Sequence, residues 1–227
     1  FCSGHSASGV FVDEFARTTV PGLYAAGDMA NVPHNYMLGA FTNGAIAGEH
    51  AMGYADDVEL ADFDAADVAL ERERVMAPTK REDGIPPNQI EYKTRRLVND
   101  YLQPPKVTKK YHLGQQRFAE VREDLEQGMM VRNSHELLRS LEAASILDCA
   151  DMAAHASLFR TESRWGLYHL RSDYPEKDNE NWFCHALLGK ENGKMVSEKH
   201  AVSEYVVPIA EDEKDLYDKQ RVAASAS

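Results

Sequence analysis

The sequence predicts an α/β segment at its N-terminal end, followed by an α-helical domain of three helices that closes with a β-hairpin. Two short apolar runs within the first 26 residues have the composition of strands, and a helix-length segment of small residues follows them. Between residues 86 and 159, apolar side chains recur at helical spacing. Near the other end, Asn192-Gly193 separates two apolar runs, which is typical of a hairpin with a type I′ turn.

The N-terminal segment contains the apolar runs 10–12 and 20–26, which we interpret as two short strands joined by a loop. The second run ends at Gly27-Asp28. A strand end followed by a helix start is the arrangement by which open α/β sheets bind nucleotide cofactors. Asp28 can accept a hydrogen bond from a sugar-like hydroxyl, although on these residues alone an ordinary Gly-Asp turn is the favoured interpretation.

The segment from Thr42 to Ala55 has so little side-chain bulk that we expect a helix whose backbone approaches another group closely. The N–H groups at the start of this Thr42 helix would face negative charge. Glu49 and His50 interrupt the run, which is also too short to be a membrane helix.

Beyond this helix, acidic residues crowd positions 56–73, as expected of an exposed connector with one solvated helix. Three helices are then predicted: one through Ile90 to Leu102, one over about 115–127, and one from the Asn133-Ser134 cap to Phe159 or beyond. Their apolar faces predict an antiparallel three-helix packet. The expected organisation is an N-terminal domain segment, an acidic linker, a helical domain with the hairpin, and a flexible tail: 1–54, 55–85, 86–207 and 208–227.

Composition excludes several classes of partner. The net charge of −12 disfavours binding to nucleic acid and to anionic membrane surfaces, and no apolar stretch approaches the roughly 20 residues that cross a bilayer. The three cysteines are scattered, which indicates reduced thiols and a cytoplasmic protein. They cannot hold an iron–sulfur cluster by themselves, so any cluster that exchanges electrons with this chain belongs to another polypeptide.

Two separated motifs carry a resemblance to a known family. The runs 20–28 and 38–45 resemble the closing FAD-binding segment of the fumarate reductase and succinate dehydrogenase flavoproteins, and the run 159–182 resembles the C-terminal helical domain of that family. Within the family, residues such as Gly39, Phe41 and the Arg164-Trp165 pair are most similar to the adenylylsulfate reductase alpha subunit. The likeness covers most of residues 1–208.

The resemblance implies an FAD cofactor, a small anionic substrate and a separate iron–sulfur electron-transfer subunit. It places Asp28 on the ribityl chain, the backbone of Thr42 and Asn43 at the flavin pyrimidine edge, and His5 as the catalytic residue that contacts anionic substrate oxygens. For a lone histidine, an unliganded loop residue is the alternative. The cofactor-binding residues so implied are Gly27, Asp28, Leu38, Gly39, Phe41, Thr42 and Asn43.

Departures from the family pattern refine this interpretation. Where the dicarboxylate enzymes carry an arginine that clamps a substrate carboxylate, this chain has Met37. The Gly-rich fingerprint and the capping region belong upstream of Phe1 in the family. We therefore expect the C-terminal part of an FAD-dependent oxidoreductase, inactive alone. The alternatives are a fumarate/succinate flavoprotein and a non-catalytic interaction module.

The remaining charged and aromatic side chains favour structural roles. Arg160, Glu162 and Arg164 are expected near the end of a long helix, at helical spacing, as an ion-pair network. Trp182 is expected to be a core or interface anchor. The other histidines show no shared ligand spacing, so we predict no metal site.

Overall fold

A computed structural model describes four stretches of the chain, residues 8–32, 36–59, 62–164 and 166–201. The chain divides into two compact units, Phe1–Arg74 and Val75–Ser227. This division falls inside the acidic segment 55–85.

The described residues form six α-helices and one two-stranded sheet. In chain order they are α1 (Met37–Asp57), α2 (Ala65–Met76), α3 (Pro87–Leu97), α4 (Thr108–Glu123), α5 (Ser134–Phe159), α6 (Asn179–Trp182), β1 (Cys184–Glu191) and β2 (Lys194–Ala201). Single π-helical turns extend α3 over Val98–Leu102 and α4 over Asp124–Gly128. None of the helices in these stretches has the length and apolar character needed to cross a membrane.

The two strands predicted in the first unit do not form among the described residues. Val10 pairs with Ala30, and Arg17 pairs with Tyr24, each through an isolated bridge. Ala16 has a φ of 61°, which takes the backbone out of the extended region directly before Arg17. Pairing therefore cannot propagate into a ladder, and the prediction of strands was wrong.

Helix α1 is longer than the sequence predicts, and there is empty space beside two of its glycines. It begins at Met37, five residues before Thr42, and ends at Asp57. A Cβ placed on Gly44 or Gly48 would meet no heavy atom within 4 Å, whereas Ala47 is buried. The close approach expected for the small-residue face is therefore not made by the described residues.

The second unit is organised around α3, α4 and α5, which confirms the predicted three-helix packet. Its buried centre contains Ile90, Tyr111, Phe118, Val121 and Leu147, with small residues of α5 lining one side. Large aromatic and aliphatic side chains from two helices thus pack on an alanine-bearing face of the third, where little side-chain volume keeps the helices close.

The ends of α4 and α5 show how capping sets helix limits. Asn133 caps α5, as predicted: its Oδ1 accepts a hydrogen bond from the Glu136 amide at 2.9 Å. Helix α4 begins at Thr108, seven residues before the predicted start, because the Asp173 carboxylate accepts from the Thr108 amide at 2.8 Å. A cap supplied from 65 residues away leaves no local signal in the sequence.

The hairpin forms as predicted, with β1 and β2 antiparallel in a register that pairs Cys184 with Ala201 and Glu191 with Lys194. Its turn residues Asn192 and Gly193 both have positive φ, 50° and 79°, as a type I′ turn requires.

Trp182, at the end of α6, anchors the start of the hairpin to the end of α5. The indole is buried, its ring lies edge-on to Phe159, and its Nε1–H donates to Thr161 Oγ1 at 3.2 Å. Lys199 Nζ lies 3.8 Å from the ring centroid and the Arg160 guanidinium carbon 5.2 Å from it. Such contacts make Trp182 a core residue of the second unit.

Candidate functional site

The first candidate site is the N-terminal end of α1 together with the turn at Gly27 and Asp28. Gly27 is buried with a φ of 68°, and a Cβ at this position would lie 3.3 Å from the Ala40 Cβ. Positive φ and a tight approach both favour glycine. The structure therefore brings the predicted residues Gly27 and Asp28 against the first turn of the helix that carries Leu38 and Gly39.

Asp28 presents a carboxylate that has no partner among the described residues. It lies in a short 3₁₀ turn, Gly27–Met29, and is exposed. Among the residues that the structure describes, none donates a hydrogen bond to the Asp28 carboxylate and none forms an ion pair with it. An ionised carboxylate accepts hydrogen bonds only, so this group is available to hydroxyl donors of a ligand.

The backbone donors at the start of α1 lie earlier in the chain than predicted. Since the Ala40 amide donates to Tyr36 O at 2.8 Å, the amides left without a helical acceptor belong to Met37, Leu38 and Gly39. Thr42 is inside the helix, with its hydroxyl donating to Leu38 O at 2.9 Å. Its amide cannot face a ligand as a helix-start donor, which corrects the predicted helix start.

Asn43 is likewise inside the helix, and its side-chain Nδ2 donates to Gly39 O at 2.9 Å. Thr42 and Asn43 thus remain near the site with their side chains. The donor role predicted for their backbone belongs instead to residues of the first turn. The helix starts early because Tyr36 is extended, with a ψ of 174°, and so serves as its N-cap residue.

Large apolar side chains surround these polar groups. Met29, Met37, Leu38 and Phe41 are 69, 76, 80 and 72% exposed, respectively. Contiguous exposed apolar surface of this kind is typical of ligand-binding or partner-binding faces. Among the described residues, the arrangement combines an unpaired carboxylate, three amides without a helical acceptor and exposed apolar side chains near the first turn of α1.

His5 and Trp165, which the sequence analysis singled out, lie outside the described residues. The predicted catalytic role of His5 therefore stays a prediction. Within the described stretches, no group of three or more His, Cys, Asp and Glu side chains could hold a metal ion.

The second candidate region is a buried cluster of charge in the second unit. Helix α5 ends at Phe159, so Arg160, Glu162 and Arg164 lie beyond it, with Glu162 in a bend and Arg164 in an isolated bridge to His169. The predicted ion pairs do form, although the helical spacing assigned to them was wrong. Glu162 Oε1 accepts from Arg160 Nη1 at 2.6 Å and from Arg164 Nε at 2.5 Å.

Glu162 is fully buried, yet its pKa is lowered. Burial opposes ionisation, but hydrogen bonds from Arg164, from the Asp178 amide and from Arg160 outweigh it and hold the pKa below the usual range. The carboxylate is therefore ionised, and it joins the chain after α5 to the start of α6.

Arg171 and Asp173 form a second ion pair, in which the arginine is buried and the aspartate is partly exposed. Arg171 is fully buried and donates to both Asp173 oxygens, at 2.8 and 2.9 Å, and through Nη1 to Ser157 O at 2.6 Å. Asp173 also accepts from the Thr108 amide and hydroxyl. These hydrogen bonds, led by the one from Arg171, hold the pKa of Asp173 far below its usual range. The pair fastens the end of α5 to the start of α4.

Beside this pair lie two titratable groups that the sequence did not single out, Lys106 and His169. Lys106 Nζ donates to Ser157 Oγ at 3.2 Å and lies 3.4 Å from His169 Nδ1. His169 Nε2 lies 3.3 Å from the Arg160 carbonyl oxygen. Because a carbonyl only accepts, Nε2 carries the proton and Nδ1 is free to accept from Lys106.

Burial and the surrounding cations shift both groups towards their neutral forms. Burial, then the charge of Lys106, lowers the pKa of His169 to about 4. Burial, then the charge of Arg171, lowers the pKa of Lys106 to about 8. We call Lys106, Ser157, His169 and Arg171 the Lys106 cluster. A separation of 63 residues between Lys106 and His169 explains why no sequence pattern indicated it.

In a comparison with protein families, residues 94–214 match the family described as the C-terminal region of the fumarate reductase flavoprotein. The matched residues include the Glu162 network, the Arg171–Asp173 pair and the Lys106 cluster.

Curated relatives are similar over most of the chain. A fumarate reductase flavoprotein subunit of Mycobacterium tuberculosis (strain CDC 1551 / Oshkosh) is 28% identical over 81% of this chain and 34% of its own length. The corresponding subunit of Haemophilus influenzae is 25% identical over 83% of this chain and 34% of its own length. L-aspartate oxidase 1 of Ralstonia nicotianae is 27% identical over 76% of this chain and 32% of its own length. The chain spans about a third of the length of these relatives.

Solved structures share the fold. Adenylylsulfate reductase from Archaeoglobus fulgidus superposes with a TM-score of 0.80 at 26% identity, over 86% of this chain and 34% of that one. An E. coli quinol fumarate reductase superposes with a TM-score of 0.79 at 21% identity, over 90% and 38%, which is a likeness of fold alone.

Proposed function

The chain belongs to the fumarate reductase flavoprotein C-terminal family, and from this premise we propose that it is the C-terminal part of an FAD-dependent oxidoreductase. The reaction would be two-electron flavin chemistry on a small anionic substrate. The family match over residues 94–214 is the observation that carries the proposal. Because the relatives are about three times longer, the remaining FAD-binding and capping regions would come from sequence upstream of this chain.

The polar groups near the N-terminal end of α1 support the proposed cofactor. FAD, when bound, would supply the electron-pair exchange with the substrate. Asp28 would accept hydrogen bonds from hydroxyls of the sugar-alcohol chain, since its carboxylate is exposed and has no protein partner among the described residues. Gly27 would keep that carboxylate close to the helix by its tight contact with Ala40.

The first turn of α1 would act on the ring system. The free amides of Met37, Leu38 and Gly39 favour negative charge placed opposite them by about 1 kcal/mol, as helix N-termini do. Leu38 and Phe41 would exclude water from the same place, because both are large, apolar and exposed in this chain. Thr42 and Asn43 would contribute their side chains.

The substrate would be held by His5, whose ring can donate to carboxylate, phosphate or sulfite oxygens. Met37 supports the adenylylsulfate-reductase-like branch. A thioether cannot form the bidentate clamp that an arginine offers to a carboxylate, which disfavours a dicarboxylate substrate. The structural likeness to adenylylsulfate reductase is consistent with this branch.

A second candidate is fumarate/succinate chemistry, favoured by the curated relatives that are fumarate reductase flavoprotein subunits. In either branch we propose an iron–sulfur subunit as the electron partner, because Cys2, Cys149 and Cys184 are too widely spaced to hold a cluster.

The test uses the complete polypeptide that contains this chain, purified with its electron partner. We expect a flavin absorbance spectrum and reduction of ferricyanide that requires both sulfite and AMP. Oxidation of reduced viologen by fumarate, without sulfite activity, would transfer the assignment to the second candidate. Absence of flavin absorbance in the complete protein would overturn the oxidoreductase proposal and leave an interaction module.

The contribution of Met37 can be tested by Met37→Arg. If Met37 sets the branch, the arginine should lower sulfite-dependent activity and raise the apparent affinity for fumarate or a dicarboxylate inhibitor. Met52→Arg is a matched control, since Met52 is equally exposed on the same helix but lies four turns further along. Equal effects of the two substitutions would contradict a specific role for Met37.

A further inference from the structure

Lys106 differs from an ordinary surface lysine in the groups that surround its amine. Within the described stretches, no carboxylate oxygen lies within 4 Å of its Nζ; the amine contacts the Ser157 hydroxyl and the His169 ring instead. The residue as a whole is partly exposed to solvent.

Each element around Lys106 presents a group that either disfavours the charged ammonium form of the lysine or does not stabilise it. The segment after α5 presents the Arg171 cation and the neutral His169, and α5 presents Ser157. The nearby Asp173 carboxylate is occupied by Arg171 and by the start of α4. Tyr111 of α4 stays neutral, because burial raises its pKa to about 12.

We propose that Lys106 is a selective acylation site of this protein, modified by small acyl phosphates. The neutral amine attacks the acyl carbon, a C–N bond forms, and the C–O bond to phosphate breaks. Inorganic phosphate leaves with the electron pair, and the extra proton on nitrogen is lost to solvent. No oxidant or reductant takes part.

The geometry also indicates that the product would be tolerated. An acylated Lys106 keeps one N–H, which can still donate to Ser157 Oγ or His169 Nδ1. It loses a positive charge that has no carboxylate partner and lies near Arg171. The modification therefore removes an electrostatic conflict instead of breaking an ion pair.

Lys109 and Lys110 provide internal comparison, since both are exposed in the first turn of α4, within four residues of Lys106. Incubation of the 227-residue chain with acetyl phosphate, followed by peptide mass spectrometry, gives the initial rate at each lysine. At pH 7.5 about a quarter of Lys106 would be neutral, against roughly 0.1% for an ordinary lysine. Because a weaker base is also a weaker nucleophile, we expect Lys106 to react about tenfold faster.

The pH dependence and an unfolded control sharpen the test. The rate at Lys106 should level off above about pH 8, whereas the rates at Lys109 and Lys110 should continue to rise. In concentrated urea the preference for Lys106 should disappear, because it depends on the folded Lys106 cluster. Equal rates in the folded chain, or a preference that survives unfolding, would overturn the proposal.

Discussion

Two carboxylates illustrate how differently the two units use charge. Asp28 of the first unit is exposed and has no protein partner among the described residues, while apolar side chains and free amides lie nearby. Glu162 of the second unit is fully buried between two arginines and a backbone amide. One region satisfies its polar groups within the chain, and the other leaves them available, which is what distinguishes a structural network from a ligand-binding surface.

The largest effect is expected from Glu162→Gln. The substitution keeps the size of the side chain but leaves Arg160 and Arg164 buried without an anion, which should cost about 3–5 kcal/mol of unfolding free energy. Urea denaturation followed by far-ultraviolet circular dichroism measures it. Glu120→Gln, which breaks a half-exposed pair with Arg117, should cost less than about 1 kcal/mol. Similar losses in the two variants would show that the buried network is not specially stabilising.

Asp173→Asn should cost about 2 kcal/mol at neutral pH, because it removes a helix cap and the partner of buried Arg171. Since folding lowers the pKa of Asp173, its contribution is complete above the unfolded value of about 3.9 and is lost as the pH falls below it. As the pH is lowered from 4, the unfolding free energy of the variant should therefore fall less than that of the parent chain.

Urea titrations at several acidic pH values test this expectation for Asp173. Asp148→Asn serves as the control, because Asp148 pairs with Arg122 at the exposed surface. Parallel stability profiles for the parent chain and Asp173→Asn would contradict the role assigned to Asp173.

At Asp28 the expected effect of a substitution is on ligand binding and not on folding. Asp28→Asn should leave the unfolding free energy of this chain nearly unchanged, because Asp28 is exposed and unpaired among the described residues. In the complete flavoprotein it should weaken FAD retention about tenfold, the loss of one charge-assisted hydrogen bond. Equilibrium dialysis of flavin measures this, with Asp56→Asn near the end of α1 as the control. Equal retention in all three proteins would remove Asp28 from the site.

The smallest expected effects come from glycine substitutions. Their effect on the unfolding free energy should have opposite signs in the two units. Gly44→Ala and Gly48→Ala have open space for a Cβ and should each stabilise this chain by about 1 kcal/mol. Gly114→Ala in α4 should destabilise it by a similar amount, since the new Cβ would lie 3.1 Å from the Tyr101 Cβ. If Gly44→Ala also leaves FAD retention unchanged in the complete protein, nothing packs closely against that face.

Local signals in the sequence predicted the second unit well. The Asn133 cap, the Asn192-Gly193 turn and the apolar spacing along three helices each depend on residues within a few positions of one another, and all three features are present. The early start of α4 was missed because its cap comes from Asp173, far along the chain. The Lys106 cluster was missed for the same reason.

In the first unit, local composition was misleading. Apolar runs predicted strands, but the positive φ of Ala16 and the tight reversal after Arg17 limit pairing to single bridges. The small residues of α1 predicted close packing that the described residues do not provide. The motif around Gly27 and Leu38 indicated where polar groups and a helix end come together, but not which amides are free, because that depends on where the helix begins.

The position of Trp182 provides the second unit with an intrinsic optical reporter. The sequence contains two tryptophans, so Trp165→Phe would leave a single emitting indole, which is enclosed by Arg160, Lys199 and Phe159. Detachment of the hairpin from the end of α5 would expose that indole to water and shift its fluorescence to longer wavelengths. Stopped-flow recording of this shift would reveal whether the hairpin separates before the three helices unfold or together with them.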